Sequence, residues 1–295
     1  MSVPTSLVGS RVPAMTHEVD ERWIMAYAAS LRDHQPIYLD TLRPDGIVAH
    51  PVFVVCPEWE VIVASREASV SAGLTRDEMQ TSVHATHDVT IHRLVRPGDV
   101  LRTSLEVVGV VDKSPGAMST TRLVTVDADG SPVATTTQNG IYLGVPAEGP
   151  DRPDPDPPSP LAVDRVGEPV EISVPIGAGD AHTYTECARI WNPIHTDRTV
   201  ARAAGLPDII LHGTANLAHG VSQVVEQRAS GDPRRVRRIA CRFAAMVLMP
   251  SELTVRIWPT QAMVAEHEPC VAVPFEVLNV DGDPAVKDGV VVLAD

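Results

Sequence analysis

The sequence predicts an α+β fold built from two similar units in tandem. Three observations support this prediction. The chain has 295 residues, enough for two ordinary domains. A segment rich in proline and acidic residues divides it near the middle, and the sequence patterns on the two sides of this segment match each other in the same order. Each unit reads as helical segments followed by several strands, and an antiparallel sheet wrapped around an apolar helix stripe would bury both.

The dividing segment is 146–170, PAEGPDRPDPDPPSPLAVDRVGEPV. Its many prolines and acidic residues, with few large apolar side chains, cannot form a core and favour extended chain. We therefore predict a first unit over residues 1–145, a linker over 146–170 and a second unit over 171–295.

Four pairs of segments indicate an internal duplication, because they occur in the same order in both units. They are YAASLRDHQPIYLD (27–40) with YTECARIWNPIHTD (184–197), IVAHP (47–51) with IILHG (209–213), RPGDVLRTSLEV (96–107) with MPSELTVRIW (249–258), and VDADGSPVA (126–134) with NVDGDPAV (279–286). The last pair reads in each copy as a strand, a glycine-containing turn and a second strand.

The helix and strands of the second unit follow from hydrophobic periodicity. The segment GTANLAHGVSQVVEQRAS has apolar residues at helical spacing and is followed by Gly-Asp-Pro, which ends the helix. Apolar or alternating runs come next and predict strands. These runs are IACRFAAMVL (239–248), ELTVRIW (252–258), CVAVPFEVLNV (270–280) and GVVVLA (289–294).

Composition limits the possible functions. The net charge of −14 argues against a nucleic-acid partner, which needs a basic surface. No apolar run is long enough to span a membrane, and the N-terminus lacks the pattern of a secretory signal, so we expect a cytoplasmic protein without membrane contact. The four cysteines are far apart in the sequence, and no nucleotide-binding glycine loop is present. We therefore expect neither a metal nor a cofactor.

The segment from Tyr184 to Gly213 carries the clearest functional pattern. It contains Asn-Pro-Ile-His-Thr-Asp (192–197), then Ala-Gly (204–205), then His-Gly (212–213). This pattern resembles the motif of the MaoC-like, (R)-specific enoyl-CoA hydratase family (hydratase 2). The first unit, with its HRLVRPGDVLRTSLEVVGV stretch, resembles the non-catalytic partner domain of two-domain members. The resemblance implies a double hotdog fold, in which each unit is a long helix wrapped by an antiparallel sheet.

The resemblance also implies roles for three residues. His195 would be the acid–base imidazole, and the backbone N–H of Gly213 would hold the thioester oxygen as charge develops on it. The start of a helix suits the second role, because its unpaired N–H groups and its dipole favour negative charge. Asn192 would orient water or substrate.

The sequence departs from the family pattern at Ile190, which occupies the place of the family's catalytic aspartate. Two carboxyl groups are candidates to replace it. Glu186 lies one helical turn upstream of Ile190. Asp33 of the first unit aligns with Ile190, while Tyr38 aligns with His195, so each copy holds one half of the expected pair.

Two further groups are candidates for binding substrate. The run RRVRR places Arg234, Arg235, Arg237 and Arg238 close together, and guanidinium groups suit the phosphates of coenzyme A. The alternative is a solvated or interface patch. His212 is expected to shape the His-Gly turn beside the substrate.

Together these features predict a hydratase or dehydratase that adds or removes water across the 2,3 bond of an acyl thioester, with acyl-CoA as the expected partner. Two alternatives stay open: a hotdog acyl-CoA thioesterase, and a non-catalytic acyl-thioester-binding subunit that has lost the aspartate. Both a monomeric double hotdog and a homodimer are compatible with the sequence.

Overall fold

A computed structural model describes residues 2–71, 73–75, 78–79, 81–265 and 268–295. Two long helices form the centres of the two units, and short helices precede each of them. The helices are α1 (Glu21–Ser30), α2 (Pro36–Leu39), α3 (Val55–Ser71), α4 (Asp180–Ala188), α5 (Arg198–Ala203) and α6 (Gly213–Arg228). None of the described helices is long and apolar enough to cross a membrane.

Eleven of the described strands form one large antiparallel sheet that continues from the first unit into the second. The described strands are β1 (Val3–Pro4), β2 (Arg11–Glu18), β3 (Ser82–Ile91), β4 (Val100–Val111), β5 (Gly116–Val126), β6 (Pro132–Leu143), β7 (Ala147–Glu148), β8 (Val170–Ile176), β9 (Val236–Phe243), β10 (Ser251–Ile257), β11 (Gln261–Ala265), β12 (Glu268–Leu278) and β13 (Pro284–Ala294). Strands β1 and β7 form a separate parallel pair. The large sheet has the order β2-β4-β5-β6-β3-β9-β13-β12-β10-β8, and β11 pairs with β12. The predicted α+β fold, with helices wrapped by antiparallel sheet, is confirmed.

The strand order shows the duplication directly. Read outward from the junction between β3 and β9, the first unit runs β3-β6-β5-β4-β2 and the second runs β9-β13-β12-β10-β8. The two tyrosines that align in the sequence repeat, Tyr27 and Tyr184, are both buried, and their hydroxyl oxygens lie 3.4 Å apart. Equivalent residues therefore meet between the two units, as in a pseudo-twofold pair.

The predicted element order needs one correction, because in each unit a strand of the large sheet precedes the helices. These strands, β2 and β8, pair with the equivalent strands β4 and β10. Strand β2 (RVPAMTHE) alternates irregularly, whereas β8 (VEISVPI) alternates clearly but begins at the end of the proline-rich segment. The predicted strand over 239–248 ends at Phe243, and the next five residues form a loop.

The predicted linker contains little secondary structure but is held against the sheets. Arg122 of β5 forms an ion pair with Asp154 at 3.0 Å, and Arg165 binds Glu276 of β12 at 2.9 Å. A backbone bridge also joins Arg152 to Val110 of β4. The segment thus crosses from one unit to the other along their surfaces.

Helix α6 is the more completely buried central helix. Its apolar residues Leu217, Val221 and Val224 have no exposed surface, and Gly220 lets the helix approach Phe275 of β12. Helix α3 differs, because one of its faces borders a cavity. That cavity holds the candidate site.

Candidate active site

A cavity of about 370 Å³ lies between the two units and is lined by residues of both. The first unit contributes α3, β3 and parts of β5 and β6. The second unit contributes the turn around His195, the segment 210–216 and residues 243–246. All the residues of the predicted catalytic set, His195, Asn192 and Gly213, border this cavity.

A tight turn presents His195 to the cavity. Pro193–His195 forms a single 3₁₀ turn, and the side-chain Oδ1 of Asn192 accepts a hydrogen bond from the N–H of Ile194 at 3.4 Å. The next helix, α5, is capped by Asp197, whose carboxylate accepts from the N–H groups of Thr199 and Val200. Asn192 thus helps to shape the turn and also lies on the cavity wall.

The hydrogen bond of His195 fixes the state of its ring. Nδ1 lies 2.8 Å from the carbonyl oxygen of Ile210. A carbonyl can only accept, so Nδ1 carries the proton and the neutral ring keeps a lone pair on Nε2. Burial lowers the pKa of His195 to about 4, so at neutral pH the ring is a base and not an acid.

The start of α6 lies beside His195. The His212 ring stacks on the His195 ring, with centroids 3.7 Å apart, and its Nε2 lies 3.2 Å from Thr185 Oγ1. Burial lowers the pKa of His212 well below its usual value, so this ring is also neutral. His212 therefore packs against the base without adding charge.

Gly213 is the first residue of α6 and packs under the ring of Phe243. A Cβ on Gly213 would lie 3.2 Å from Phe243 Cδ1, so glycine allows this close approach. The backbone N–H groups of Gly213 and Thr214 donate no hydrogen bond to a described residue. They are the unpaired donors of a helix start, suited to an oxygen that gains negative charge.

Ile190 borders the same cavity and is buried in the main core. Its neighbour Arg189 ends α4 in a left-handed conformation with φ of 59°, and its guanidinium carbon lies 3.9 Å above the centre of the Trp23 ring. Arg189 is therefore turned away, and the position of the expected carboxylate holds an apolar side chain.

Neither predicted replacement carboxylate lies on the cavity wall. Glu186 is exposed, and its carboxylate accepts from Trp191 Nε1 at 3.4 Å. Asp33 is buried in the equivalent place of the first unit, where Ser222 and Glu226 of α6 are its neighbours. That place is filled by protein, and Tyr38 there has no exposed surface. The geometry does not favour either residue as the missing acid.

The arginine cluster also lies away from the cavity, and its members have protein partners. Arg238 binds Asp88 of β3 through two hydrogen bonds of 2.7 and 2.6 Å. Arg234 binds Asp232, while Arg235 and Arg237 donate to the carbonyl oxygens of Ala294 and Arg234. Each arginine of the cluster therefore binds groups of the protein itself, and these contacts do not support the predicted phosphate site.

Sequence reasoning missed four polar residues on the cavity wall: Glu58, Arg66, His87 and Asn216. Glu58, His87 and Asn216 are each at least 97% buried. Neither ring nitrogen of His87 has a hydrogen-bond partner among the described residues, and the same is true of Asn216 Oδ1. Such groups are costly to leave unpaired inside a protein, so they indicate a polar ligand in the cavity.

One pattern in the sequence could have identified the residues that the first unit contributes to the cavity. The residues of α3 that face the cavity are Val55, Glu58, Trp59, Ile62, Ser65, Arg66 and Ser69, which recur at helical spacing. Glu58, Ser65, Arg66 and Ser69 interrupt an otherwise apolar helix face, and such an interruption is the pattern that could have indicated a helix beside a site. Among the described residues, no group of three or more His, Cys, Asp or Glu side chains is placed to bind a metal.

Two family models match the chain. Residues 162–280 match the model described as MaoC like domain, and residues 6–136 match the FAS1-like, dehydratase domain region. The two matched regions correspond to the two units of the fold.

Curated relatives match over very different lengths. A probable enoyl-CoA hydratase 2 of Dictyostelium discoideum is 23% identical over 292 residues, covering 97% of this chain and 95% of that protein. The fatty acid synthase subunit beta of Aspergillus oryzae is 39% identical over 80 residues, which is 26% of this chain but only 4% of that protein. The chain thus spans a small part of some relatives and nearly all of others.

Solved structures show the same fold. A MaoC-like dehydratase from Phytophthora capsici superposes with a TM-score of 0.82 at 19% identity, covering 98% of this chain and 96% of that one. A Mycobacterium tuberculosis protein described as having a double hotdog fold superposes with a TM-score of 0.67 at 16% identity, covering 97% and 95%. The predicted double hotdog is therefore confirmed.

Proposed function

We propose that the chain adds or removes water across the 2,3 bond of an acyl thioester, with acyl-CoA as the expected form; its matches to the MaoC like domain and to the FAS1-like, dehydratase domain region support this proposal. One observation carries this proposal: His195, with a free Nε2, and the unpaired N–H groups at the start of α6 border one cavity. Hydration needs a base for water and donors for the thioester oxygen, and these groups supply both.

In the direction of hydration, Nε2 of His195 takes one proton from a water molecule, and the water oxygen bonds to carbon 3. The electrons of the double bond move toward the thioester oxygen, where the N–H groups of Gly213 and Thr214 stabilise the enolate. A proton donor in the cavity then gives its proton to carbon 2, which completes the 3-hydroxyacyl thioester, and the imidazolium of His195 returns its proton to that donor. Dehydration is the same sequence reversed.

The neutral state of His195 supports the first step. Burial holds its pKa at about 4, so the lone pair on Nε2 is available throughout the neutral range. A low pKa makes the His195 ring a weaker base. The N–H groups and the dipole at the start of α6 compensate for this, because they stabilise the enolate that forms.

The test is a substrate panel analysed by mass spectrometry, with 2-enoyl, 3-hydroxyacyl and saturated acyl-CoA thioesters incubated separately in water enriched in ¹⁸O. We expect the 2-enoyl thioester to yield a 3-hydroxyacyl thioester that carries ¹⁸O, and His195→Ala to lose that product. Free acid and free CoA would instead assign the cavity to thioester hydrolysis. Binding without turnover would favour a non-catalytic subunit.

A further inference from the structure

The cavity contains a carboxyl group that takes the place of the missing aspartate, although it comes from the other unit. We propose that Glu58 of α3 is the catalytic acid that protonates carbon 2 of the substrate. This inference rests on the proposed function and names the proton donor that the function requires.

Glu58 is distinguished by its position. It is the one Asp or Glu among the described residues on the cavity wall, and it is 99% buried. One carboxyl oxygen, Oε1, accepts a hydrogen bond of 2.5 Å from Thr136 Oγ1 of β6. The other, Oε2, makes no hydrogen bond with a described residue, so it is available to a ligand.

Glu58 lies on the first turn of α3 and borders the same cavity as His195 and the start of α6. The turn Pro51–Val54, just before α3, packs on α6. Phe53 of this turn packs against Tyr27 with ring centroids 5.5 Å apart, and the Tyr27 hydroxyl lies 3.4 Å from that of Tyr184, which donates to Thr214 Oγ1 at 3.1 Å. Glu58 is the next cavity-facing residue along α3 after Val55, about one turn from the start of the helix.

Burial also gives Glu58 the protonation state that an acid needs. The pKa of its carboxyl is raised to about 8, because burial disfavours the charged form more than the Thr136 hydrogen bond favours it. The titratable groups that share the cavity are Arg66 on the same helix, His84 and His87 of β3, Tyr142 of β6, and His195 and His212 of the second unit. Since burial lowers the pKa values of His87 and His195 to about 4, both rings are neutral and a poor source of protons.

His195 and Glu58 together account for every proton that moves in the reaction. Water gives one proton to His195 Nε2 and its oxygen to carbon 3, and Glu58 gives its proton to carbon 2. This leaves an imidazolium and a carboxylate in one cavity, and transfer of a proton from the first to the second restores both. No oxidant, metal or further reactant is required.

The experiment measures hydration of a 2-enoyl-CoA by the full chain carrying Glu58→Gln, Glu58→Asp or Glu60→Gln. Gln keeps the shape of Glu but cannot give up a proton, so we expect kcat to fall by about 10²–10⁴, with partial activity in Glu58→Asp. Glu60 is an exposed residue on the same helix that pairs with His17, so Glu60→Gln is the matched control and should keep full activity. Thermal melting of each variant separates loss of folding from loss of chemistry.

A second variant tests the role by its pH profile. Thr136→Val removes the hydrogen bond that lowers the pKa of Glu58, so the loss of hydration at high pH should move upward. A structural role for Glu58 would not produce this shift. Unchanged kcat and pH profile in Glu58→Gln, alongside an inactive His195→Ala, would overturn the role of Glu58 but leave the proposed function intact. No hydration by the unaltered protein would instead overturn the function itself.

An independent observation concerns the far end of the same cavity. Arg66 lies eight residues beyond Glu58, about 12 Å further along the axis of α3, and its guanidinium stacks over Trp59 at 5.0 Å. Arg66 forms no ion pair with a described residue. The surrounding wall is polar: Ser65, Ser69, Ser82, Ser119, Thr121, Gln138 and Asn139.

We infer that this arm of the cavity binds an anionic group of the thioester substrate. Arginine keeps its charge in proteins, and the other described groups on the wall are neutral histidines, a protonated Glu58 and uncharged side chains. The arm is therefore positively charged inside a protein whose net charge is −14. The group it binds is a carboxylate at the end of the acyl chain or a phosphate of the carrier, and both suit a guanidinium.

Kinetics with Arg66→Gln distinguish the two sources. The substrates are a 2-enoyl-CoA with a terminal carboxylate, a neutral 2-enoyl-CoA of the same length, and the neutral acyl group on pantetheine, which lacks phosphate. A loss of tenfold or more in kcat/KM confined to the carboxylate substrate would assign the acyl end. An equal loss on both CoA esters, with none on pantetheine, would assign the carrier phosphate. No loss on any substrate would overturn the anion site, and hydration of the neutral ester by the unaltered protein keeps this outcome separate from failure of the proposed function.

Discussion

At the scale of single residues, Ile190 is the position where the cavity departs from the family motif. It places an apolar side chain on the cavity wall where the family motif has its aspartate, while His195 and Gly213 keep their expected places. The sequence could predict His195, Asn192 and Gly213 because they belong to one short motif. It could not predict Glu58 or His87, since these lie more than 100 residues away and reach the cavity only when the two units pack together.

The base can be tested separately from the acid. We expect His195→Gln to lower kcat/KM for hydration by about 10²–10⁴, because an amide cannot take the proton from water. Binding of a saturated acyl-CoA, measured by calorimetry, should change much less. Equal turnover in the variant and the unaltered protein would contradict the assignment of His195.

The position of Ile190 also allows a rescue experiment. In a Glu58→Gln background, Ile190→Asp returns a carboxyl group to the place of the family aspartate, so hydration should recover at least tenfold relative to Glu58→Gln alone. Because Ile190 is 94% buried, the same change should lower the free energy of unfolding by about 2–4 kcal/mol. Steady-state kinetics and denaturant unfolding measure the two effects. A double variant no more active than Glu58→Gln would argue against a shared role for the two positions.

At the scale of elements, the two central helices have diverged in what they face. Helix α6 is surrounded by the sheet and by the first unit. Helix α3 instead borders the cavity with an apolar face that also contains polar residues. Hydrophobic periodicity identified α6 because its apolar residues are all in the core. The same reasoning did not identify β2, because its sequence RVPAMTHE lacks a regular apolar alternation, and it did not identify β8, whose alternation (VEISVPI) begins at the end of the proline-rich segment.

The packing of α6 on the sheet depends on a close approach at Gly220. A Cβ there would lie 2.7 Å from Phe275 Cε2 and 2.9 Å from Val277 Cγ2. We expect Gly220→Ala to lower the free energy of unfolding by about 1–3 kcal/mol, because the ring or the helix has to shift. Gln227→Ala, at an exposed position of the same helix, is the control and should change stability by less than about 0.5 kcal/mol. Equal denaturation curves for Gly220→Ala and the unaltered protein would contradict this packing.

At the scale of the whole molecule, the site exists because the two units form one structure. The sheet continues through β3 and β9, and Arg238 of the second unit binds Asp88 of the first across this junction. The cavity draws its base from one unit and its proposed acid from the other. The internal repeat in the sequence predicted the two units, but not which faces would meet or that the cavity would lie between them.

The junction can be weakened by removing one charge. Asp88 and Arg238 have side chains that are 23% and 16% exposed, and they form two charge-assisted hydrogen bonds. We expect Asp88→Asn to lower the free energy of unfolding by about 1–3 kcal/mol. Glu106→Gln breaks a pair with Arg11 that is much more exposed, and it should cost less than about 1 kcal/mol. If the two variants unfold at the same denaturant concentration, the junction pair does not contribute more to stability than the exposed pair.

The most direct test of acid–base catalysis by the two units is the pH dependence of kcat/KM for hydration by the unaltered protein. This parameter reports the groups of the free enzyme. His195, with its pKa lowered to about 4 by burial, is a base only above that pH, and Glu58, with its pKa raised to about 8, is an acid only below that pH. We predict a bell-shaped profile that rises near pH 4 and falls near pH 8. Hydration that persists without a fall well above pH 8, or no hydration at any pH, would contradict this account.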